Sequence, residues 1–393
     1  MFLIPRSQLL FKLAATAVLL PWVIAAQAQP STDDQAIADN MRRLADDVQL
    51  LLPFIYDSDQ PLTPGSRALI ASSVKDMQTH VEKIATTVAP RSDTYQISYE
   101  VIASQLEQAQ TELTQGRESY AVNLLGSAIS VCATCHTQDD QAAAWLAPTV
   151  SVSTVNPFSN AEFLFMTRQY DRAFDAYKNW LHQQQTLADD NRTRSAFERL
   201  LLTALQIQKS SAAIHSLIAE LSQGGNISAT LKQDVLAWLD GLGELEKRTD
   251  IGKQPNRNTL KNLAETWLDG NGNESPGHIF LPETQRPQIV WLRGQLYRAL
   301  NQETDASRVP QWLYWLAVSD RLLEYRFYYS LADMYLKQCM LEYTENPVAR
   351  RCYGEYENYL LFFYSGSSGT HLPEDIKSEL EMLKARVFGS GGY

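Results

Sequence analysis

The sequence predicts an all-α protein, a four-helix bundle followed by an irregular α-solenoid. Three observations point there. From Asp33 to Asp140 apolar residues recur every three or four positions, the period of a helix with one buried face. Over the same stretch proline and glycine are sparse, and the helical pattern breaks at some of them. Residues 147–157, Ala-Pro-Thr-Val-Ser-Val-Ser-Thr-Val-Asn-Pro, hold two prolines among small polar residues and mark a linker between two domains.

The front domain, residues 31–146, divides into four helices. The first carries Ile37, Met41, Leu44, Val48 and Leu51, a four-three alternation that lays one apolar seam along a helix, and it ends before Pro61. The second starts at Thr63-Pro64, a capping hydroxyl before a proline suited to the first turn, and carries Ile70, Val74, Met77, Val81 and Ile84 until Pro90. The third runs from Asp93 to Gln115 with Ile102, Leu106, Ala109 and Leu113 on its seam, and Gly116 closes it. The fourth starts near Glu118 and carries Val122, Leu125, Ile129, Cys132 and His136. Short loops between helices of this length favour an up-down-up-down order.

Residues 158–388 are helical again but organised differently. Ala161, Leu164, Tyr170, Ala173, Tyr177 and Trp180 alternate small and large residues at a spacing that lets two antiparallel helices approach. The segment resembles one tetratricopeptide repeat. Further helix pairs are predicted over 191–222, 229–268, 286–320 and 322–363, with no second regular repeat, hence an irregular α-solenoid. The tail, 389–393, reads as disordered.

Arg6 and Lys12 precede an apolar run from Leu13 to Ala26, and Ala26-Gln27-Ala28 is a small-x-small cleavage pattern. Residues 1–28 therefore read as a signal peptide, with a retained anchor as the alternative. Export places the body in the bacterial periplasm, with no transmembrane segment after cleavage. The formal charge of −11 becomes more negative by two once Arg6 and Lys12 are removed, which argues against a nucleic-acid partner. Acidic residues outnumber basic ones by more than two to one between residues 30 and 148, a field suited to transient docking with a partner that offers a basic surface.

Val131-Cys132-Ala133-Thr134-Cys135-His136 contains C-x-x-C-H, the attachment signature of c-type haem. Positions i, i+3 and i+4 share a helix face. Two thiols there can each form a thioether with a haem vinyl group while the imidazole reaches the iron from the same side. A thioredoxin-like pair would need a βαβ setting, and a zinc site would need further ligands nearby; the segment offers neither. With four helices and this motif near the end of the last, residues 31–145 resemble the class II c-type cytochromes, the cytochrome c prime group. That resemblance implies one covalent haem c, attached at Cys132 and Cys135, with His136 as the proximal iron ligand. Such cytochromes carry a basic residue soon after the motif histidine, whereas Thr137-Gln138-Asp139-Asp140 follows here.

In an up-down bundle the end of the fourth helix lies beside the start of the first and the end of the second, which brings Met41, Met77 and His80 to the level of the motif. Family members that use a methionine take it from the first helix, so Met41 is the candidate distal ligand. His80 and an open iron are the alternatives, and Met77, squarely on its seam, reads as core.

Cys339 and Cys352 lie equally far from a turn near Glu345-Asn346-Pro347 and are expected to pair as a disulfide across a helical hairpin. Asp269-Gly270-Asn271-Gly272-Asn273 imitates a calcium loop, but Glu274 and Phe280 stand where its glycine and glutamate belong. The aromatics between 312 and 364 read chiefly as core between stacked helices. No nucleophile elbow, phosphate loop or metalloprotease signature appears. The functional expectation is a single-electron carrier docked to redox partners through its helical repeats. The alternatives are a haem-based binder or sensor of NO or CO, and an exported scaffold with a structural haem.

Overall fold

The computed structural model describes residues 32–56, 62–88, 93–137, 156–183, 190–208, 211–223, 227–248, 255–269, 281–323, 330–367 and 369–389. The expected signal segment, the linker up to residue 155 and the tail beyond Gly389 lie outside them. The described residues are all-α apart from one hairpin of two-residue strands, Ser365–Gly366 and Gly369–Thr370.

Four long helices come first: α1 (Thr32–Tyr56), α2 (Pro64–Val88), α3 (Asp93–Thr114) and α4 (Glu118–His136). Their limits follow from local chemistry. The Ser66 amide donates to Thr63 Oγ1 at 3.1 Å, so Thr63 caps α2 while Pro64 fills a position that needs no amide hydrogen. The end of α3 turns through Gly116 at φ 75°, and the Arg117 amide reaches back to the Glu112 carbonyl at 2.9 Å; glycine takes that left-handed position without strain. Each helix packs on the next, and α4 returns to α1. The whole α2 seam, Ile70 to Ile84, is buried, whereas on α1 Val48 and Leu51 are buried and Ile37, Met41 and Leu44 only partly so.

The chain resumes with Asn156, whose side chain caps α5 (Pro157–Met166). Then follow α6 (Tyr170–Gln183), α7 (Asp190–Leu202), a π-helical turn (Thr203–Gln208), α8 (Ser211–Gln223), α9 (Ala229–Lys247) and α10 (Arg257–Trp267). A short 3₁₀ turn (Glu283–Gln285) leads into α11 (Arg286–Asn301), α12 (Val309–Leu322), α13 (Ala332–Glu342), α14 (Pro347–Phe363) and α15 (Glu374–Phe388). Most neighbouring helices pack on one another along this series, but the pairs expected over 191–222 and 229–268 depart from this: α8 packs chiefly on α9 and only slightly on α7. The pair anticipated over 229–268 does not form a hairpin of its own: α9 packs on α8 and on the 3₁₀ turn, while α10 packs on α11. Trp267 lies edge-on to Trp291 with ring centroids 6.2 Å apart, which draws α10 to α11. The terminal α15, absent from the predicted pairs, covers α13 and α14.

Polar links run through this second series. Arg293 on α11 pairs with Asp320 on α12, both fully buried, and Asp320 also accepts the Leu331 amide at 2.9 Å. Cys339 on α13 and Cys352 on α14 are joined by a disulfide, Cα to Cα 6.4 Å. Asp269 accepts from Trp315 Nε1 at 3.1 Å and pairs with Arg351 at 2.9 Å, so its carboxylate is committed to protein partners. Trp312, Trp315, Tyr335 and Tyr356 are buried, while Phe362 and Phe363 at the end of α14 are exposed.

Candidate metal centre

The motif occupies the last two turns of α4. From Val131 to Thr137 only Cys132 and His136 keep appreciable surface; Val131, Ala133, Thr134, Cys135 and Thr137 are buried. Cys132 and His136 are one turn apart and share a partly exposed stripe at the helix end, while Cys135 beside them is buried. Both Cys132 and Cys135 remain thiols, and the Cys132 thiol points back to the Ala128 carbonyl at 3.5 Å. Burial and the neighbouring Cys135 push the Cys132 thiol up to about 12. A redox-active C-x-x-C pair needs the opposite shift, a thiol lowered toward the thiolate.

The His136 imidazole reaches out of α4 to the end of α5, where its Nδ1 meets the Met166 carbonyl. The last carbonyls of a helix have no partner within it, and Met166 closes α5. A carbonyl only accepts, so Nδ1 carries the hydrogen and Nε2 keeps its lone pair. Burial, then the Arg168 guanidinium, lower His136 to about 3, while the Met166 contact pulls the other way. The imidazole is therefore neutral at neutral pH, the form that binds metal. The His136 carbonyl, itself at the end of α4, accepts from Tyr170 Oη at 2.9 Å. Thus α4 caps the end of α5, and the first residue of α6 caps the end of α4.

The turn that makes this geometry runs from Met166 to Tyr170. Gln169 N bonds the Leu164 carbonyl at 2.9 Å and Arg168 N the Phe165 carbonyl at 3.1 Å, with Arg168 left-handed at φ 61°. This is a Schellman ending with arginine in place of the usual glycine. Further along α5, buried Glu162 accepts from Tyr177 Oη at 2.6 Å, from Tyr56 Oη on α1 at 3.2 Å and from Arg199 Nε on α7 at 3.3 Å. Arg192 on α7 donates to the Tyr56 carbonyl at the end of α1.

The other sequence candidates are placed as follows. Met77 is buried core. His80 Nδ1 is 2.9 Å from Asn40 Oδ1, and burial, Lys83 and Arg43 hold its pKa below the usual histidine value. Met41 is half-buried against the core. A side chain built on Gly126 would meet Ile55 at 3.5 Å, which sets those residues level on α4 and α1. At ~1.5 Å per residue, Met41 then lies roughly 6 Å beyond His136 along the helix direction. Among the described residues no three His, Cys, Asp or Glu side chains converge as a metal cage, and no helix is long and apolar enough to cross a membrane.

Met166, Glu162 and the role of Tyr170 were not read from the sequence. Glu162 had a visible signal, a lone carboxylate inside Phe158-Ser-Asn-Ala-Glu-Phe-Leu-Phe-Met166, since a charge in an apolar run must find a partner. The Met166 contact is made by a backbone carbonyl, which no residue type announces. Comparison with protein-family models, with curated proteins and with solved structures finds no match for this chain.

Proposed function

We propose that the chain is a periplasmic mono-haem c-type cytochrome, in which a four-helix bundle of α1 to α4 carries haem c and an irregular α-solenoid from α5 onward docks it to redox partners. The observation that carries this reading is the Cys132-x-x-Cys135-His136 motif at a helix end where Cys132 and His136 keep some surface, with a neutral imidazole whose Nδ1 is already engaged. Cys132 and Cys135 would hold the porphyrin through thioethers, and Nε2 of His136 would take the proximal iron position. When bound, the haem supplies a one-electron couple. The chain's own residues do the rest: the Met166 carbonyl fixes the tautomer, the buried flank of α4 excludes water, and the acidic front steers a partner with a basic surface. The Cys339–Cys352 disulfide suits a compartment outside the cytoplasm.

The deciding measurement is a haem-stained denaturing gel with a reduced pyridine spectrum and an iron determination. One haem per chain is expected, surviving denaturation in the parent and lost in Cys132→Ala/Cys135→Ala. Correctly matured protein that is colourless and iron-free overturns the proposal.

A second reading draws on the offset of Met41. The Met41 backbone is offset by roughly 6 Å from that of His136 along the helices; if its side chain did not bridge that offset, His136 would be the only protein ligand to a bound haem and the protein would be a binder of NO or CO. Addition of CO to the reduced protein separates the two: an unchanged low-spin spectrum favours the electron carrier, a shifted high-spin one the binder.

A further inference from the structure

The imidazole at the centre of that proposal is held by the second half of the chain. We propose that Tyr170 is a positioning residue for the iron ligand: by holding the His136 carbonyl, its hydroxyl keeps the imidazole on the Met166 carbonyl with Nδ1 protonated and the Nε2 lone pair available. The inference rests on the haem reading, since it assigns a metal-directed role to a contact that would otherwise be a helix cap.

Both contacts come from one stretch, Met166 to Tyr170, whose path is set by the left-handed Arg168 and the Gln169 to Leu164 bond. The ring of Tyr170 packs edge-on to Phe165 with centroids 5.6 Å apart, so the hydroxyl is aimed by a fixed ring. The middle of α5 is pinned to α1 through Glu162 and Tyr56, which stops the turn from sliding along α4. The His136 backbone is the last of its helix, and last turns fray unless their carbonyls are capped. Loss of the Tyr170 hydrogen bond therefore frees the residue whose side chain must stay aligned. A histidine whose second nitrogen donates to a fixed acceptor is held in one tautomer and is a more basic ligand.

The test uses the full chain in two forms. In Cys132→Ala/Cys135→Ala, which cannot form thioethers, nitrogen NMR of labelled histidine reads the His136 tautomer directly. The Nδ1-protonated form is expected, with a several-fold shift toward the Nε2-protonated form on Tyr170→Phe. In the matured protein the midpoint potential is the readout. A less basic imidazole stabilises ferric iron less, so Tyr170→Phe raises the potential, by about 59 mV if the ferric preference weakens tenfold. The phenylalanine ring retains the Phe165 contact, so the variant folds. An unchanged tautomer and an unchanged potential in Tyr170→Phe overturn the positioning role and leave the haem reading intact. A matured chain without haem overturns the haem reading, and with it the metal-directed role, even where the tautomer responds.

Discussion

Glu162→Gln is the substitution whose cost can be worked most directly from the structure. The Glu162 carboxylate is almost completely buried and faces Tyr177, Tyr56 and Arg199, the last also nearly buried. Burial is the largest single influence on Arg199 and lowers its pKa, but Glu162, Tyr177 and Tyr56 together outweigh it and the net shift is upward. The same burial, with the same carboxylate, raises Tyr177 and Tyr56 well above the usual tyrosine range. Removing one member of a buried ion pair costs about 3–5 kcal/mol, because the other charge is left uncompensated. The amide of glutamine still offers one acceptor, worth about 1 kcal/mol to a tyrosine hydroxyl. A net loss of ~2–4 kcal/mol follows.

Urea unfolding followed by tryptophan fluorescence reads this loss, with Arg199→Met and the double variant completing a cycle. The double variant leaves no orphaned charge and is expected to cost less than the sum of the singles by about 2 kcal/mol or more. Because Glu162 ties α1 to α5, α6 and α7, the single variant should also separate an early transition of the front helices from the rest. A loss under about 1 kcal/mol, or strict additivity of the two singles, would refute the claim that this hub joins the halves of the chain.

Three further outcomes are expected. Asp47 is pushed up to about 6, first by burial and then by Asp76 and Asp46, from 3.8 in the unfolded chain. The folded form thus holds an extra proton between those values, its contribution is lost as pH rises through about 6, and Asp47→Asn should gain ~1 kcal/mol at pH 7 after allowing for solvent screening and nothing at pH 3.5; equal gains at both would refute it. A methyl group on Gly241 in α9 would run into the Thr284 carbonyl of the 3₁₀ turn, whereas one on Gly354 in α14 meets nothing within 4 Å. Gly241→Ala should therefore lose ~2 kcal/mol and Gly354→Ala gain roughly 0.5–1 kcal/mol in thermal unfolding, and a reversed order would overturn the packing of α9 on that turn. Cys339→Ser/Cys352→Ser opens a crosslink spanning 13 positions and should cost about 3 kcal/mol; a parent whose melting temperature ignores reductant would contradict this.

The front helices were legible because their ends are written in residue types that act locally. Thr63, Pro64 and Gly116 do in the structure what a capping hydroxyl, a first-turn proline and a left-handed glycine do anywhere. The second half was harder because its central helices have no exposed face to give a period. On α11 almost every residue from Arg286 to Tyr297 is buried, including two arginines that composition alone would assign to the surface. The α9–α10 pair was misassigned for a different reason: both helices show an exposed face, but Trp267 finds its partner on α11, and that choice is made by packing. At the site, the motif stood out because thioether and imidazole chemistry needs three side chains in five positions. The turn that holds His136 is 30 residues away and acts through a backbone carbonyl, so neither spacing nor residue type could reveal it.

The junction itself shows which forces do which job. Phe158, Phe163, Leu164, Phe165 and Met166 are all buried along α5, and at about 2 kcal/mol each they contribute roughly 10 kcal/mol of burial. Each hydrogen bond across the junction adds only about 1 kcal/mol net. Apolar contact therefore holds α5 in place, but it has no direction and would tolerate a slide or a rotation. The directional part comes from three helix ends: Arg192 on the last carbonyl of α1, Tyr170 on that of α4, and His136 on that of α5. Only one of those caps is also the side chain whose orientation the proposed chemistry requires. A junction that were merely adhesive could do without it, whereas one that must hold an imidazole to a single tautomer could not.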